Sequence, residues 1–225
     1  MKIELCCPSI NSAINAKAAG ADRIELCQSL DWGGLTPSHG AIAHCTQQLG
    51  IRTHVLIRPR EGNFCYNTAE LDVIRHDILA CKQLGVAAVV IGFLNPDGTV
   101  DRQTTQEMVQ LAAPMEVTFH RAFDECTDWP TQLETIIQCG CHRVLTSGCS
   151  PDAYQGRDNL AQMVRQANGR ITILAGCGVT PSNVSAIIAH SHVTEVHGSC
   201  KAPQPSGLTE TDLNIAKELI SNAKK

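Results

Sequence analysis

Two short runs near the start of the chain share one pattern of a carboxylate and a thiol. Ile3-Glu4-Leu5-Cys6 and Ile24-Glu25-Leu26-Cys27 both alternate apolar side chains with chemically reactive ones. Side chains of a β-strand alternate between its two faces, so each acid is predicted to share a face with the thiol two residues later. A buried carboxylate is costly unless a cation or a metal ion compensates its charge. The pattern therefore predicts a buried site in which these groups meet positive partners.

Length and composition restrict the class of protein. The chain has 225 residues, of which 43% are hydrophobic, and a formal net charge of −4. No run of Lys and Arg gives the basic surface that nucleic-acid binding requires, and no apolar stretch reaches the roughly 20 residues of a membrane helix. Met1-Lys2 leads directly into an alternating run instead of a signal peptide. We therefore expect a cytoplasmic protein with neither nucleic acid nor a membrane as partner.

Cysteine is abundant, with twelve residues. No CxxC motif occurs, so a structural zinc site or a thioredoxin-like redox pair has no support. Reduced thiols are expected in a cytoplasmic chain. For each thiol, metal binding competes with a simpler interpretation, in which the cysteine is a small buried hydrophobe.

Short apolar runs alternate with helical patterns eight times along the chain. Asn67, with Glu70 three residues later, is a predicted helix cap, and Lys201–Thr209 is a predicted loop before the last helix. Eight such units in residues 1–225 predict an α/β fold, a single-domain (β/α)8 TIM barrel. An open doubly wound sheet is the alternative, although no GxGxxG follows the first strand. The predicted strands are 2–7, 23–27, 52–58, 86–93, 115–120, 142–146, 170–175 and 193–197.

In such a barrel the functional groups lie at the carboxyl ends of the strands and in the loops that follow. Cys6 and Cys27 lie at or next to the carboxyl ends of neighbouring predicted strands, where equivalent positions lie about 4.8 Å apart if the two runs align. Soft thiolates select Cu(I) or similar soft ions, so these two cysteines are candidate metal ligands. A disulfide between them is the alternative in an oxidised sample.

Charged residues at the same end of the barrel support a second interpretation. Glu4, Glu25 and His120 are candidate acid/base residues for an enzyme. No lysine lies inside a predicted strand, so a Schiff-base mechanism has no candidate nucleophile. A polar layer, in which acids and bases satisfy one another, is the alternative. The candidate groups for binding a small phosphorylated or carboxylated metabolite are Arg58, Arg60, Ser147, Gly178, His197 and Ser199.

Five segments carry a resemblance to a known family: 20–27 (GADRIELC), 33–38 (GGLTPS), 57–60 (IRPR), 117–124 (VTFHRAFD) and 143–148 (RVLTSG). In this order, between Met1 and about Ser199, the chain resembles the CutC copper-homeostasis family. The resemblance implies a cytoplasmic (β/α)8 barrel linked to copper handling and assembled as a homo-oligomer, which here predicts a homodimer or homotetramer.

The resemblance also implies particular site residues. It assigns Cys6 and Cys27 as Cu(I) ligands and places a pocket near Arg58 and His120. The loop after the third strand departs from the family pattern, because Glu61 and Asn63 stand where Gly and Asp are usual. The resemblance assigns no reaction, so whether the protein is an enzyme stays open.

Overall fold

Eight parallel strands close into a barrel in the order in which they follow one another along the chain. The computed structural model describes residues 1–204 and 207–225. Each strand pairs with the next, and β8 pairs with β1, which closes the ring and confirms the predicted (β/α)8 fold over the open sheet. The strands are β1 (Lys2–Cys7), β2 (Arg23–Leu26), β3 (Thr53–Leu56), β4 (Ala88–Ile91), β5 (Glu116–Phe119), β6 (Arg143–Thr146), β7 (Thr172–Ala175) and β8 (Glu195–Gly198).

Helices alternate with these strands. The predicted cap at Asn67 is confirmed: its side chain accepts from the Glu70 N–H, and the Glu70 carboxylate accepts from the Asn67 N–H. Within the described part of the chain, no helix combines the length and the apolar character that crossing a membrane would need. The helices are α1 (Ile10–Ala19), α2 (His39–Ala43, continued by a π-helical turn over His44–Leu49), α3 (Thr68–Gln83), α4 (Arg102–Ala112), α5 (Trp129–Gln138), α6 (Arg157–Ala167), α7 (Val184–Ser191) and α8 (Leu213–Ala223).

Alternation along the strands separates two layers of side chains. In β1, Leu5 belongs to the large apolar core between strands and helices, whereas Cys6 joins Cys27 in a small cluster inside the barrel. Glu4 and Glu25 also point inward, where both approach the ring of one histidine. Each acid therefore shares the inner face with the thiol two residues later, as the alternating pattern predicts.

The register between β1 and β2 differs from an alignment of the two identical runs. Glu4 lies opposite Arg23, and Cys6 lies opposite Glu25. The expectation that Cys6 and Cys27 occupy equivalent positions is therefore wrong, because Cys27 lies two residues further towards the carboxyl end. Closing a sheet into a barrel tilts the strands and staggers their hydrogen-bond register, which produces such an offset.

A layer of ion pairs fills part of the barrel interior below these thiols. Arg23 places Nε 2.5 Å from Glu4 Oε2 and Nη2 2.5 Å from Glu195 Oε2. Arg143 shares Glu195, with Nε 3.0 Å from the same oxygen, and its Nη1 lies 2.7 Å from Glu116. The polar layer that the sequence offered as an alternative is therefore present at this level of the barrel.

The segment Lys201–Thr209 differs from the predicted loop. It begins with a short strand, β9 (Lys201–Pro203), and its last residue starts a second one, β10 (Thr209–Thr211), which pairs with β9 in antiparallel orientation. Residues 205 and 206 lie outside the described residues. The Glu210 carboxylate accepts a hydrogen bond from Ser9 Oγ at 2.6 Å, which ties β10 to the start of α1.

Replacing Arg23 by methionine tests the ion-pair layer. The variant leaves Glu4 and Glu195 buried without their shared cation, and removing one partner of a buried ion pair costs about 3–5 kcal/mol. Arg52→Met is the matched control, because the ion pair of Arg52 with Glu116 is largely exposed and worth at most about 1 kcal/mol. We expect urea unfolding to show the large loss of unfolding free energy for Arg23→Met alone. Equal losses in the two variants would contradict a structural role for this layer.

Candidate functional site

A cavity of about 1040 Å³ opens at the carboxyl end of the barrel. This volume lies at the upper end of the range usual for small-molecule sites. Its floor is formed by inward-facing strand residues, and its walls are formed by the loops that follow the strands. Its lining includes Cys6, Glu25, Arg58, Phe64, His120, Gly178, His197 and Ser199.

Glu4 lies beneath the floor of the cavity and is approached by three basic side chains. Arg23 Nε donates to Glu4 Oε2 at 2.5 Å, His54 Nδ1 lies 3.1 Å from the same oxygen, and His197 Nδ1 lies 2.7 Å from Oε1. Burial raises the pKa of a carboxyl group, but the hydrogen bonds of His197 and His54 and the charge of Arg23 hold the Glu4 pKa well below its usual value. Glu4 is therefore a buried anion that positions its neighbours.

The imidazole of His197 bridges the two acids of the repeated runs. Its Nδ1 contacts Glu4, and its Nε2 lies 3.8 Å from Glu25 Oε2. Burial disfavours a charged histidine, but Glu25, Cys6 and Glu4 together raise the His197 pKa well above its usual value. Burial and the Glu4 charge raise the pKa of Glu25, against the opposing charge of His197. The floor thus holds an imidazolium between one firmly ionised acid and one that takes up a proton more readily.

Two thiols meet inside the barrel, and that of Cys6 lies beside this imidazole. Cys6 Sγ and Cys27 Sγ lie 3.7 Å apart, and both side chains are buried. The contact with Cys27 and burial raise the Cys6 pKa well above its usual value, so the thiol is protonated at neutral pH. Cys7 faces the other way, where its thiol donates to the Leu5 carbonyl at 3.4 Å. All twelve cysteines are free, so the alternative of a disulfide between Cys6 and Cys27 is not formed.

Cys6, Glu25 and His197 bring their ligand atoms within 4.8 Å of one another. A thiol, an imidazole and a carboxylate are a donor set that fits a transition-metal ion. Sequence reasoning grouped His197 with the anion-binding residues and missed this cluster. The sequence signal that could have found it is the predicted closure of the barrel. In a closed ring the eighth strand lies beside the first, and here His197 of β8 lies opposite Glu4 of β1.

Arg58 lies in the cavity wall with only 6% of its surface exposed. Its Nη1 donates to the carbonyls of Trp32 and Gly34 at 2.9 and 3.1 Å, and its Nη2 donates to the Gly62 carbonyl at 2.7 Å. Among the described residues, its Nε has no hydrogen-bond partner. Across residues 1–204 and 207–225, no carboxylate forms an ion pair with this guanidinium. Arg58 therefore holds two loops together while its charge stays uncompensated.

His120 lies near Arg58 in the same wall. Its Nδ1 accepts from the Ala122 N–H at 3.1 Å. Burial and the charge of Arg58 lower the His120 pKa to about 3, so the ring is neutral at physiological pH. A Cβ atom at Gly92 would lie 2.4 Å from the ring, so glycine is required there. The Phe64 ring lies 4.8 Å from the imidazole, centroid to centroid.

Two residues that the sequence proposed for anion binding lie away from this cavity. Arg60 places Nε 2.5 Å from Glu70 Oε1, and its Nη1 donates to the Asn63 carbonyl. Ser147 is buried, and its hydroxyl donates to the Ser150 carbonyl at 2.6 Å. The charge of Arg60 and the hydroxyl of Ser147 are therefore already matched by other groups of the chain.

Gly178 and Ser199 line the cavity in the loops after β7 and β8. Gly178 has a φ of +67°, in the region that favours glycine, and a Cβ there would lie 2.9 Å from the Asp152 side chain. The structure thus gives a backbone reason for glycine at this position. Anion binding by these two residues stays a prediction.

Asp124 organises the mouth in a way that sequence reasoning did not assign. Its carboxylate accepts from Thr146 Oγ1 at 2.5 Å and from the backbone N–H groups of Ser147 and Cys149, and it pairs with Arg121. These bonds hold the loop after β6 against the loop after β5. The position of Asp124 four residues beyond the end of the predicted fifth strand was the available signal, but its partners come from another loop.

The sequence of this chain is similar to a known protein family. A family model described as the CutC family matches residues 1–202. A family protein CutC from Glaesserella parasuis is 46% identical over 206 residues, which cover 92% of this chain and 85% of the relative. A family protein CutC from Vibrio campbellii is 45% identical over 210 residues, with the same coverage of 92% and 85%.

Solved structures agree with the sequence comparison. A crystal structure of a protein from Streptococcus agalactiae, named as a candidate copper homeostasis protein CutC, superposes with a TM-score of 0.84 at 32% identity, covering 88% of this chain and 98% of that one. N-(5′-phosphoribosyl)anthranilate isomerase from Pyrococcus furiosus superposes with a TM-score of 0.64 at 14% identity, covering 100% and 98%, which shows a shared barrel fold alone. The match of the family model over residues 1–202, together with these relatives, shows that the chain belongs to the CutC family.

Proposed function

We propose that this chain binds Cu(I) in the floor of the cavity through Cys6 and Cys27, with His197 as a third ligand. The observation that carries the proposal is the 3.7 Å separation of the two sulfur atoms, of which Cys6 Sγ lies within 4.8 Å of a ring nitrogen of His197. Two sulfurs bound to one ion at about 2.3 Å with a tetrahedral angle lie about 3.8 Å apart, so the thiols need little movement to share an ion. Sulfur and imidazole ligands in a water-poor floor favour a soft ion over Mg²⁺ or Ca²⁺.

Glu4 supplies the support that a metal-binding histidine needs. In many metal sites the ligand nitrogen faces the ion while the other ring N–H donates to a carboxylate, which fixes the ring and its tautomer. His197 has this arrangement, with Nδ1 on Glu4 and Nε2 towards Glu25 and Cys6. Binding of a cation there requires loss of protons from the thiols and from Nε2, so the ion replaces positive charge that the floor already carries.

Anaerobic competition against a Cu(I) chelator tests the ligand set. We expect the reduced wild-type protein to take Cu(I) from the chelator and Cys6→Ala/Cys27→Ala to lose binding, because the sulfur pair is gone. His197→Gln should weaken binding by at least roughly 10-fold, because loss of a ligand costs no less than loss of a group that orients one. Cys177→Ala is the matched control, since Cys177 lines the same cavity outside the cluster.

Circular dichroism establishes that each variant is folded before its affinity is compared. A folded Cys6→Ala/Cys27→Ala protein with wild-type Cu(I) affinity contradicts the assigned site. Preferential binding of Zn²⁺ over Cu(I) by the reduced protein contradicts the choice of ion.

A second function, acid/base chemistry on a small anionic metabolite, is favoured by the size of the cavity. About 1040 Å³ is far more space than one metal ion occupies, and Glu25 and His197 lie in its floor beside each other. A carboxyl group and an imidazole in contact can pass a proton to or from a bound molecule.

Hydrogen–deuterium exchange tests this second function. Small 2-oxo acids, with pyruvate as the first probe, are incubated with the protein in D₂O, and proton NMR follows loss of the C–H signal next to the carbonyl group. We expect exchange to be faster with wild-type protein than without protein. Exchange should fall to the rate without protein in Glu25→Gln, because the proton-accepting group is removed. Exchange that survives in Glu25→Gln would assign the activity to another group.

The family resemblance supports a proposal on assembly and location. A homodimer or homotetramer in the cytoplasm is the predicted state of the protein. Light scattering coupled to size-exclusion chromatography distinguishes these assemblies from a monomer.

A further inference from the structure

The wall of the cavity contains a guanidinium with unused hydrogen-bond donors. An arginine has five N–H groups, and Arg58 uses three of them on the carbonyls of Trp32, Gly34 and Gly62. Its Nε–H has no hydrogen-bond partner in the part of the chain that the structure describes, although the residue is only 6% exposed. Arg23 differs, since carboxylates meet its Nε and Nη2. Arg58 thus combines a buried positive charge with an unpaired donor.

His120 adds a second unpaired donor of the same kind. Because its Nδ1 accepts from the Ala122 N–H, the neutral ring carries its proton on Nε2. Within residues 1–204 and 207–225 this Nε2–H has no hydrogen-bond partner, and the residue is 5% exposed. Buried polar groups in proteins are almost always paired, so an unpaired one at a cavity indicates a partner of complementary chemistry.

The two donors belong to one patch of the cavity wall. The Phe64 ring contacts both, with its centroid 4.8 Å from the His120 ring centroid and 5.0 Å from Arg58 Cζ. Both residues line the cavity of the proposed metal site, while neither belongs to the cluster of Cys6, Glu25 and His197. Two unpaired donors and one positive charge in this patch form a binding surface for an anionic oxygen.

We propose that Arg58 and His120 form a binding site for the carboxylate group of a small organic monoanion. The patch offers a single uncompensated positive charge, which matches the one charge of a carboxylate and leaves the second charge of a dianion such as phosphate unmatched. A guanidinium is the side chain best suited to a planar carboxylate. Leu30, Leu56 and Leu145 also line the cavity and provide apolar surface for the rest of the molecule.

This site goes beyond copper binding and does not depend on it. It requires neither sulfur atom, so it stands if the metal proposal fails. If the acid/base function holds, the site also names its substrate class, a carboxylic acid whose other end reaches the floor of the cavity.

Titration with benzoate and acetate tests the proposal, with the dissociation constant measured from NMR chemical-shift changes of the protein. We expect both carboxylates to bind, and benzamide, acetamide and inorganic phosphate to bind at least about tenfold more weakly, because charge-assisted hydrogen bonds are lost or a second charge is left unmatched. Arg58→Met and His120→Phe should each weaken benzoate binding by about tenfold or more. Arg60→Met is the matched control, two residues away and already paired with Glu70.

Three outcomes overturn the proposal: equal affinity for benzoate and benzamide, tighter binding of phosphate than of either carboxylate, or an equal loss in Arg60→Met and Arg58→Met. If Arg58→Met fails to fold because three carbonyls lose their donor, His120→Phe decides the question by itself. The Cys6→Ala/Cys27→Ala protein should keep wild-type affinity for benzoate. Loss of benzoate binding in this variant would show that the carboxylate site is not separate from the thiols.

Discussion

The buried carboxylate of Glu4 is the constraint on which the rest of this barrel depends. An ionised carboxylate inside a protein is destabilising unless hydrogen bonds and opposite charges surround it. Here the partners come from three other strands: Arg23 from β2, His54 from β3 and His197 from β8. The contacts of the Glu4 carboxylate therefore hold β2 and β8, the two neighbours of β1, in place. The pair β1–β8 is the one that closes the ring.

The same anion determines what the floor of the cavity can do. By holding His197 through Nδ1, Glu4 leaves Nε2 directed towards Cys6 and Glu25. The two-residue offset between β1 and β2 then separates the two acids along the barrel axis, with the imidazole between them. Had the identical runs aligned, two carboxylates would have lain side by side and repelled each other. The offset instead places Cys6 beside Glu25 and still brings the two sulfur atoms into contact.

Much of this architecture could be predicted from the sequence, because it depends on local patterns. Alternating apolar residues, helix caps and the repeated run placed the strands, the cap at Asn67 and the inward-facing thiols. The offset of the register could not be read from the repeat, because strand tilt in a closed barrel sets it. Arg58 and Arg60 illustrate the same limit, since they flank one proline and look equivalent in sequence. Their roles differ because Glu70 in α3 reaches one arginine, and backbone carbonyls reach the other.

The contrast between paired and unpaired cations divides the cavity into two chemically distinct regions. At the floor, His197 carries positive charge between two acids, so this region is close to neutral and favours a cation that can displace protons. In the wall, Arg58 is held by carbonyl dipoles, which orient the guanidinium without cancelling its charge. Water screens a charge poorly in such a buried place, so the attraction for an anion is stronger than at the surface. If both proposals hold, one cavity accommodates a soft cation and an organic anion together, because the cation replaces protons of the floor and the anion meets the uncompensated charge of Arg58.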